Sequence, residues 1–182
     1  MSGVIGVGPD ETSGIVGKFP SGHVLQQTQT VIQSAFTIAN TESEQLITGF
    51  NVAITPISAH SKVHLSYKFE TSCAADATAR AYMERDIAGA GYSELAGIQG
   101  TGATPLSSLC FGGGTQDSWM LHEHAGSFLD TPTYTVGGEI TYRIGLQTEN
   151  GGNALHVGQT HRDTTLYHPR TASILILQEI SA

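Results

Sequence analysis

The feature that most constrains this chain is the run Lys62–Glu70, KVHLSYKFE. Val63, Leu65, Tyr67 and Phe69 alternate there with Lys62, His64, Ser66, Lys68 and Glu70. A period of two puts the apolar set on one side of an extended chain and the polar set on the other, whereas a helix would scatter both around its circumference. The run therefore predicts a strand with one buried face. Glu139–Leu146 repeats the pattern with Ile140, Tyr142, Ile144 and Leu146. Val24–Ile32 and Gln45–Thr55 are rich in β-branched residues, and Pro56 stops the second. Further strands are expected over Ala79–Arg85, Asp117–His124 and Ala154–Val157, the last after the turn signal Asn150-Gly151-Gly152-Asn153. Only Ala74–Tyr82 has helical flavour. Many short strands separated by Gly-rich turns indicate an all-β sandwich or barrel.

Ser173–Ile180, SILILQEI, breaks the alternation. Ile174, Leu175, Ile176 and Leu177 are contiguous, as in strands buried on both faces. Such a run is too apolar to leave at an open edge, so it is assigned to the core and to contact between subunits.

Residues 1–22 differ in kind. Glycines at 3, 6, 8, 14, 17 and 22 and prolines at 9 and 20 oppose both helix and strand. Val4, Ile5, Ile15, Val16 and Phe19 are spaced along the segment, which makes it too apolar for a plain solvated linker. The expectation is an arm over 1–22 that orders against a partner, and a folded head over 23–182.

Composition excludes several functions. The formal net charge is −8 and no basic run occurs, so neither nucleic-acid phosphates nor an anionic membrane are expected partners. Only 13% of residues are charged, which suits a chain that hides surface in an oligomer. No stretch reaches the ~18 apolar residues needed to span a bilayer. The opening MSGVIGVGPDE has neither the cationic nor the long apolar part of a signal peptide. Cys73 and Cys110 lack metal or redox spacing; two buried free thiols are expected, with a single disulfide between them as the alternative.

His122-Glu123-His124 is the conspicuous candidate site. On a strand both imidazoles share a face and could grip one metal ion, with His156, His161 or His168 adding a ligand. The Glu that a cupin would place a few residues later is absent, since Ala125–Leu129 and then Asp130 follow. The plainer reading is a polar strand face, and no metal or other cofactor is expected. Cys110 and Ser118 near His122 do not make a nucleophilic triad, and Asp130, Glu139 and Glu149 lack a spacing that singles out paired catalytic carboxylates. The glycines around Gly6-Val7-Gly8 and Gly17-Lys18 lack the rest of a phosphate-binding motif. Trp119, followed by Met120, is a core residue by default and a glycan-stacking surface by alternative.

The phrases GKFPSGHVLQQTQT, TGFNVAITPISAHSKVHLSY, SFLDTPTYTVGGEITYRI, ENGGNALHV and RTASILILQEISA, in this order, resemble a class of marine and cyanobacterial tailed-phage virion proteins. The resemblance implies a jelly-roll β-sandwich, like the heads of C1q and tumour necrosis factor, that assembles as a homotrimer. It also implies a structural role in the virion and no catalytic residue. Two locations follow. One is a capsid decoration or cement protein whose arm binds the major capsid protein. The other is a fibre tip that binds a host receptor, for example a surface glycan. The absence of a stalk-forming repeat favours decoration. A cupin-like metalloenzyme built on His122 and His124 is the reading from a different class.

Overall fold

The computed structural model describes residues 21–38, 43–73, 78–99, 109–112, 120–148, 154–162 and 169–182, and of Thr78, Ala96 and 109–112 the backbone. The arm residues Val4, Ile5, Ile15, Val16 and Phe19 lie outside this set, as do Trp119, Glu149 and His168.

The described residues form eleven strands. They are β1 Val24–Ile32, β2 Phe36–Ile38, β3 Gln45–Ile54, β4 Lys62–Cys73, β5 Thr78–Ile87, β6 Ser93–Glu94, β7 Leu109–Gly112, β8 His122–Asp130, β9 Ile140–Thr148, β10 Leu155–Val157 and β11 Ser173–Ile180. A single 3-10 turn, Ala96–Ile98, is the one helical element among them. All pairings are antiparallel. In the first sheet the order β1-β11-β4 continues to β8 on the far edge of β4, and the short pair β10-β2 extends the sheet beside the last residues of β4. In the second, β3-β9-β5 is followed by β6 and β7 on one edge of β5. The long strands β3 and β4 fall in different sheets, as do β4 and β5, and β8 and β9. Two antiparallel sheets, of six and five strands, wound in this way are a jelly-roll sandwich, the fold expected above.

The alternation in the sequence sets the core. Val63, Leu65 and Phe69 of β4 meet Leu175 and Leu177 of β11 and Ile140, Tyr142, Ile144 and Leu146 of β9 between the sheets, all at 2% exposure or less. The run Ile174–Leu177 divides between two environments. Leu175 and Leu177 are fully buried in the core, while Ile174 and Ile176 point outward and are half-buried.

Several boundaries differ from those read off the sequence. Of the strand expected over Asp117–His124, residues 117–119 lie outside the described set; β8 begins at His122 and runs to Asp130, because its nine residues pair with all of Val63–Thr71. Residues 78–82, expected to have helical character, belong to β5, where the small Ala79 and Ala81 pack inward at 1% and 0% exposure. Strands β2, β6 and β7 carry no readable alternation and owe their form to their partners. On β3 the inward set is Ile47, then Phe50, Val52 and Ile54. The register shifts between Leu46 and Asn51, and Gly49 at φ 79° allows the bulge that moves the apolar face from odd to even positions.

The open edges of β1 and β3 are closed against each other by side chains. Gln26 Nε2, Thr28 Oγ1 and Thr30 Oγ1 donate to the carbonyls of Thr55, Ala53 and Asn51, at 2.6, 2.9 and 2.8 Å. Alternate residues of one strand thereby occupy alternate acceptors of the other, which denies both edges to a foreign strand. Ser21 and Gly22, assigned above to the arm, are described, and Gly22 N donates to Ser181 O at 2.9 Å.

Candidate functional site

The outer face of the first sheet is a surface with balanced charge. Register places Gln27, Gln178 and His64 in one row across β1, β11 and β4, with Leu129 of β8 at its end. Gln178 Nε2 donates to Gln27 Oε1 at 2.8 Å, and Gln178 Oε1 lies 3.2 Å from His64 Nδ1. The next rows are Gln29, Ile176, Ser66 and Ser127, then Val31, Ile174, Lys68 and Ala125. Val24, Val31 and Leu129 are 52%, 47% and 46% exposed. The charges on the strands of this face are Lys62, Lys68, Glu70 and Glu123, which cancel. Lys68 bridges Glu70 at 3.2 Å and Glu123 at 3.1 Å. The rest of the chain therefore carries the whole net charge of −8.

The histidines expected to act together lie on opposite sides of the first sheet. His122 and His124 pair with Thr71 and Phe69 and point between the sheets. His124 Nε2 is 2.8 Å from Thr71 Oγ1, and its ring lies 5.2 Å from that of Phe69. Burial, aided by the nearby His122 charge and opposed by Glu70, pushes its pKa down to about 4. His122 Nε2 is buried with no hydrogen-bond partner. His156 instead pairs with Ser72, the residue after Thr71, and so points to the outer face, where His161 lies against it. Adjacent residues of β4 face opposite ways, so neither His156 nor His161 can complete a metal centre with His122 and His124. Among the described residues no three His, Cys, Asp or Glu side chains converge on one point.

The other candidates are engaged in structure. Asp130 is buried and accepts from Arg85 Nη1 at 2.5 Å and from the Tyr142 hydroxyl at 2.7 Å. This inward-facing triad ties β8 of one sheet to β5 and β9 of the other. Burial, together with the Asp130 charge and hydrogen bond, holds the Tyr142 hydroxyl far above its usual pKa. Glu139 is exposed at the start of β9. Cys73 is buried at the end of β4, and burial raises its thiol pKa, which disfavours the nucleophilic thiolate. Met120 is 54% exposed.

Two further groups could not be read from the sequence. Glu179 is fully buried; its Oε1 accepts from the backbone N–H groups of Ile57 and Ser58 at 3.2 and 3.1 Å, and its Oε2 from Gln26 Nε2 at 2.6 Å. It pins the turn that carries the chain from β3 to β4. On the outer face of the second sheet, Arg143 Nε donates to Glu84 Oε2 at 2.5 Å, and its guanidinium lies 3.6 Å from the centroid of the Tyr92 ring. Glu44 belongs to the same group. Most of the residue is exposed, but its carboxyl rests over Gly145 beside Glu84. Burial of the carboxyl end, with the Glu84 charge and hydrogen bond, outweighs Arg143 and raises its pKa to about 7. The only local signal for either group was an acidic residue within a strand pattern.

No family profile matches the chain, and no curated protein matches it. Among solved structures it is similar to one described as the structure of infectious bursal disease virus Gx strain, with a TM-score of 0.40 and 11% identity. The match covers 100% of this chain and 43% of that one, so the chain spans less than half of that protein's length. At this identity and overlap the likeness carries no function across.

Proposed function

We propose that this protein is a non-enzymatic structural subunit of a tailed-phage virion: a homotrimeric capsid decoration protein that stabilises the head. The observation that carries the reading is the outer face of the β1-β11-β4-β8 sheet. A surface with cancelling charges on a chain of net charge −8 lets copies approach without like-charge repulsion. Its amides are both donors and acceptors, and can pair with a second copy as well as with each other. Val24, Val31, Leu129 and the half-buried Ile174 and Ile176 supply apolar area that association would remove from water. The phrases that resemble phage virion proteins include RTASILILQEISA, which forms β11 at the centre of this sheet.

The arm over 1–22 is assigned to the major capsid protein. Glycines allow close backbone approach, and Val4, Ile5, Ile15, Val16 and Phe19 can fill shallow pockets while the backbone adds to a partner strand. Ordering such a segment costs about 1–2 kcal/mol per residue, so it requires many contacts.

Sedimentation of the purified protein tests the assembly. Wild type should run as three 19.2-kDa chains, and I176E, which places a charge in the centre of the face, should run as a folded monomer. A wild-type monomer at micromolar concentration would overturn the trimer. A chain starting at Ser21 should still trimerise but no longer bind particles stripped of the native protein. Full occupancy by that truncation would remove the arm as the anchor.

A further inference from the structure

His156 and His161 lie at the corner of the outer face where β10 extends the first sheet. His161 Nδ1 is 3.1 Å from His156 Nε2, and the two rings are 5.0 Å apart at 73°. Two imidazole nitrogens bound to one tetrahedral zinc ion at about 2.0–2.1 Å would stand about 3.3 Å apart. The observed spacing therefore suits either a shared proton or a shared metal ion, with a shift of a few tenths of an ångström between them.

The backbone holds both ligands in place. His156 sits in the ladder between β4 and β2, opposite Ser72 and Thr37. Gly158 at φ 72° turns the chain back over the sheet, and a Cβ at that position would come within 2.9 Å of Thr171 O. Gly158 N donates to Glu70 O at 2.9 Å, Gln159 bridges to Arg170, and His161 N donates to Ser72 Oγ at 3.1 Å. The loop that presents His161 is thus anchored at three successive points.

The second nitrogen of His156 also has the surroundings a ligand requires. Thr37 Oγ1 lies 3.3 Å from His156 Nδ1, and the Gln159 side-chain amide lies 3.2 Å from it. When Nε2 binds a metal, Nδ1 must carry the proton. Thr37 Oγ1 then accepts that proton, and the Gln159 amide does so once turned to present its oxygen. Both residues are half-buried, so among the described residues the pair is partly open to solvent.

We propose that His156 and His161 form a two-histidine site for a borderline divalent transition-metal ion of the zinc, nickel or copper type. Its other positions are open to water or an outside ligand. Imidazole nitrogens favour these ions over magnesium or calcium, and the open positions suit a labile surface site better than a closed structural one. The site is separate from His122 and His124, which the sheet places on its other face, and the fold does not depend on it.

Calorimetric titration of the chelator-treated, tag-free protein with zinc chloride tests the proposal. One ion per chain is expected. H161Q should weaken binding at least about tenfold, T37V by about tenfold through the supporting contact, and H122Q/H124Q not at all. Nitrogen-15 spectra of the wild-type imidazoles with and without zinc give a reading that does not depend on how a variant folds. The largest shifts should fall on His156 Nε2 and His161 Nδ1. Absence of binding up to millimolar zinc, equal affinity in H161Q, or shifts confined to other histidines would each overturn the assignment and leave the pair as a hydrogen bond.

Discussion

His124 should make the head sensitive to acid. Its ring is enclosed between Phe69 and Thr71 in the interior, and burial lowers its pKa from 6.5 to about 4. Between these values the unfolded chain binds a proton that the folded chain refuses, so stability falls as the pH drops. The contribution is fully present above pH 6.5 and is lost by pH 4. A shift of that size corresponds to about 3 kcal/mol for a fully enclosed ring, and the partial exposure of His124 reduces it to about 2 kcal/mol. Glu44 works in the opposite direction. Its pKa is raised from 4.5 to about 7, so stability falls as the pH rises across that window. Its residue is largely exposed, and solvent screening reduces the effect to about 1 kcal/mol or less. The two windows overlap, and the wild-type profile mixes them. Urea unfolding at pH 4, 5, 6 and 7 should therefore compare E44Q with E44Q/H124Q. All other titrations are common to both proteins and cancel in the difference. E44Q should lose about 2 kcal/mol more than the double variant between pH 7 and pH 4. Parallel profiles would show that His124 titrates normally in the fold and would refute the burial argument.

Two further outcomes concern buried polar groups. E179A leaves the N–H groups of Ile57 and Ser58 without their acceptor and should lower stability by about 2–4 kcal/mol, read as a reduced urea midpoint, with E179Q intermediate. R85M leaves the Asp130 carboxylate buried without its cation and should cost about 3 kcal/mol by the same measurement, whereas Y142F, which removes one hydrogen bond, should cost about 1 kcal/mol. If R85M were no worse than Y142F, the ion pair would not be what joins the sheets.

The sequence alone determined which side of its two most strictly alternating strands faces the core. That property is local, because alternate side chains on an extended backbone point opposite ways whatever the partner strand is. Lys62–Glu70 and Glu139–Leu146 could therefore be read directly, and so could the all-β class. What the tertiary structure decided depends on pairing between distant residues. The bulge at Gly49 reverses the inward parity of β3, and only the register against β9 reveals it. The apolar run Ile174–Leu177 looked buried on both faces, yet its outward residues are covered only in part until the neighbouring rows of β1 and β4 are known. The histidines show the difference most sharply. His122 and His156 both lie beside the end of β4, but one pairs with Thr71 and the other with Ser72. That single residue of register, invisible in the order of the chain, puts a whole sheet between them.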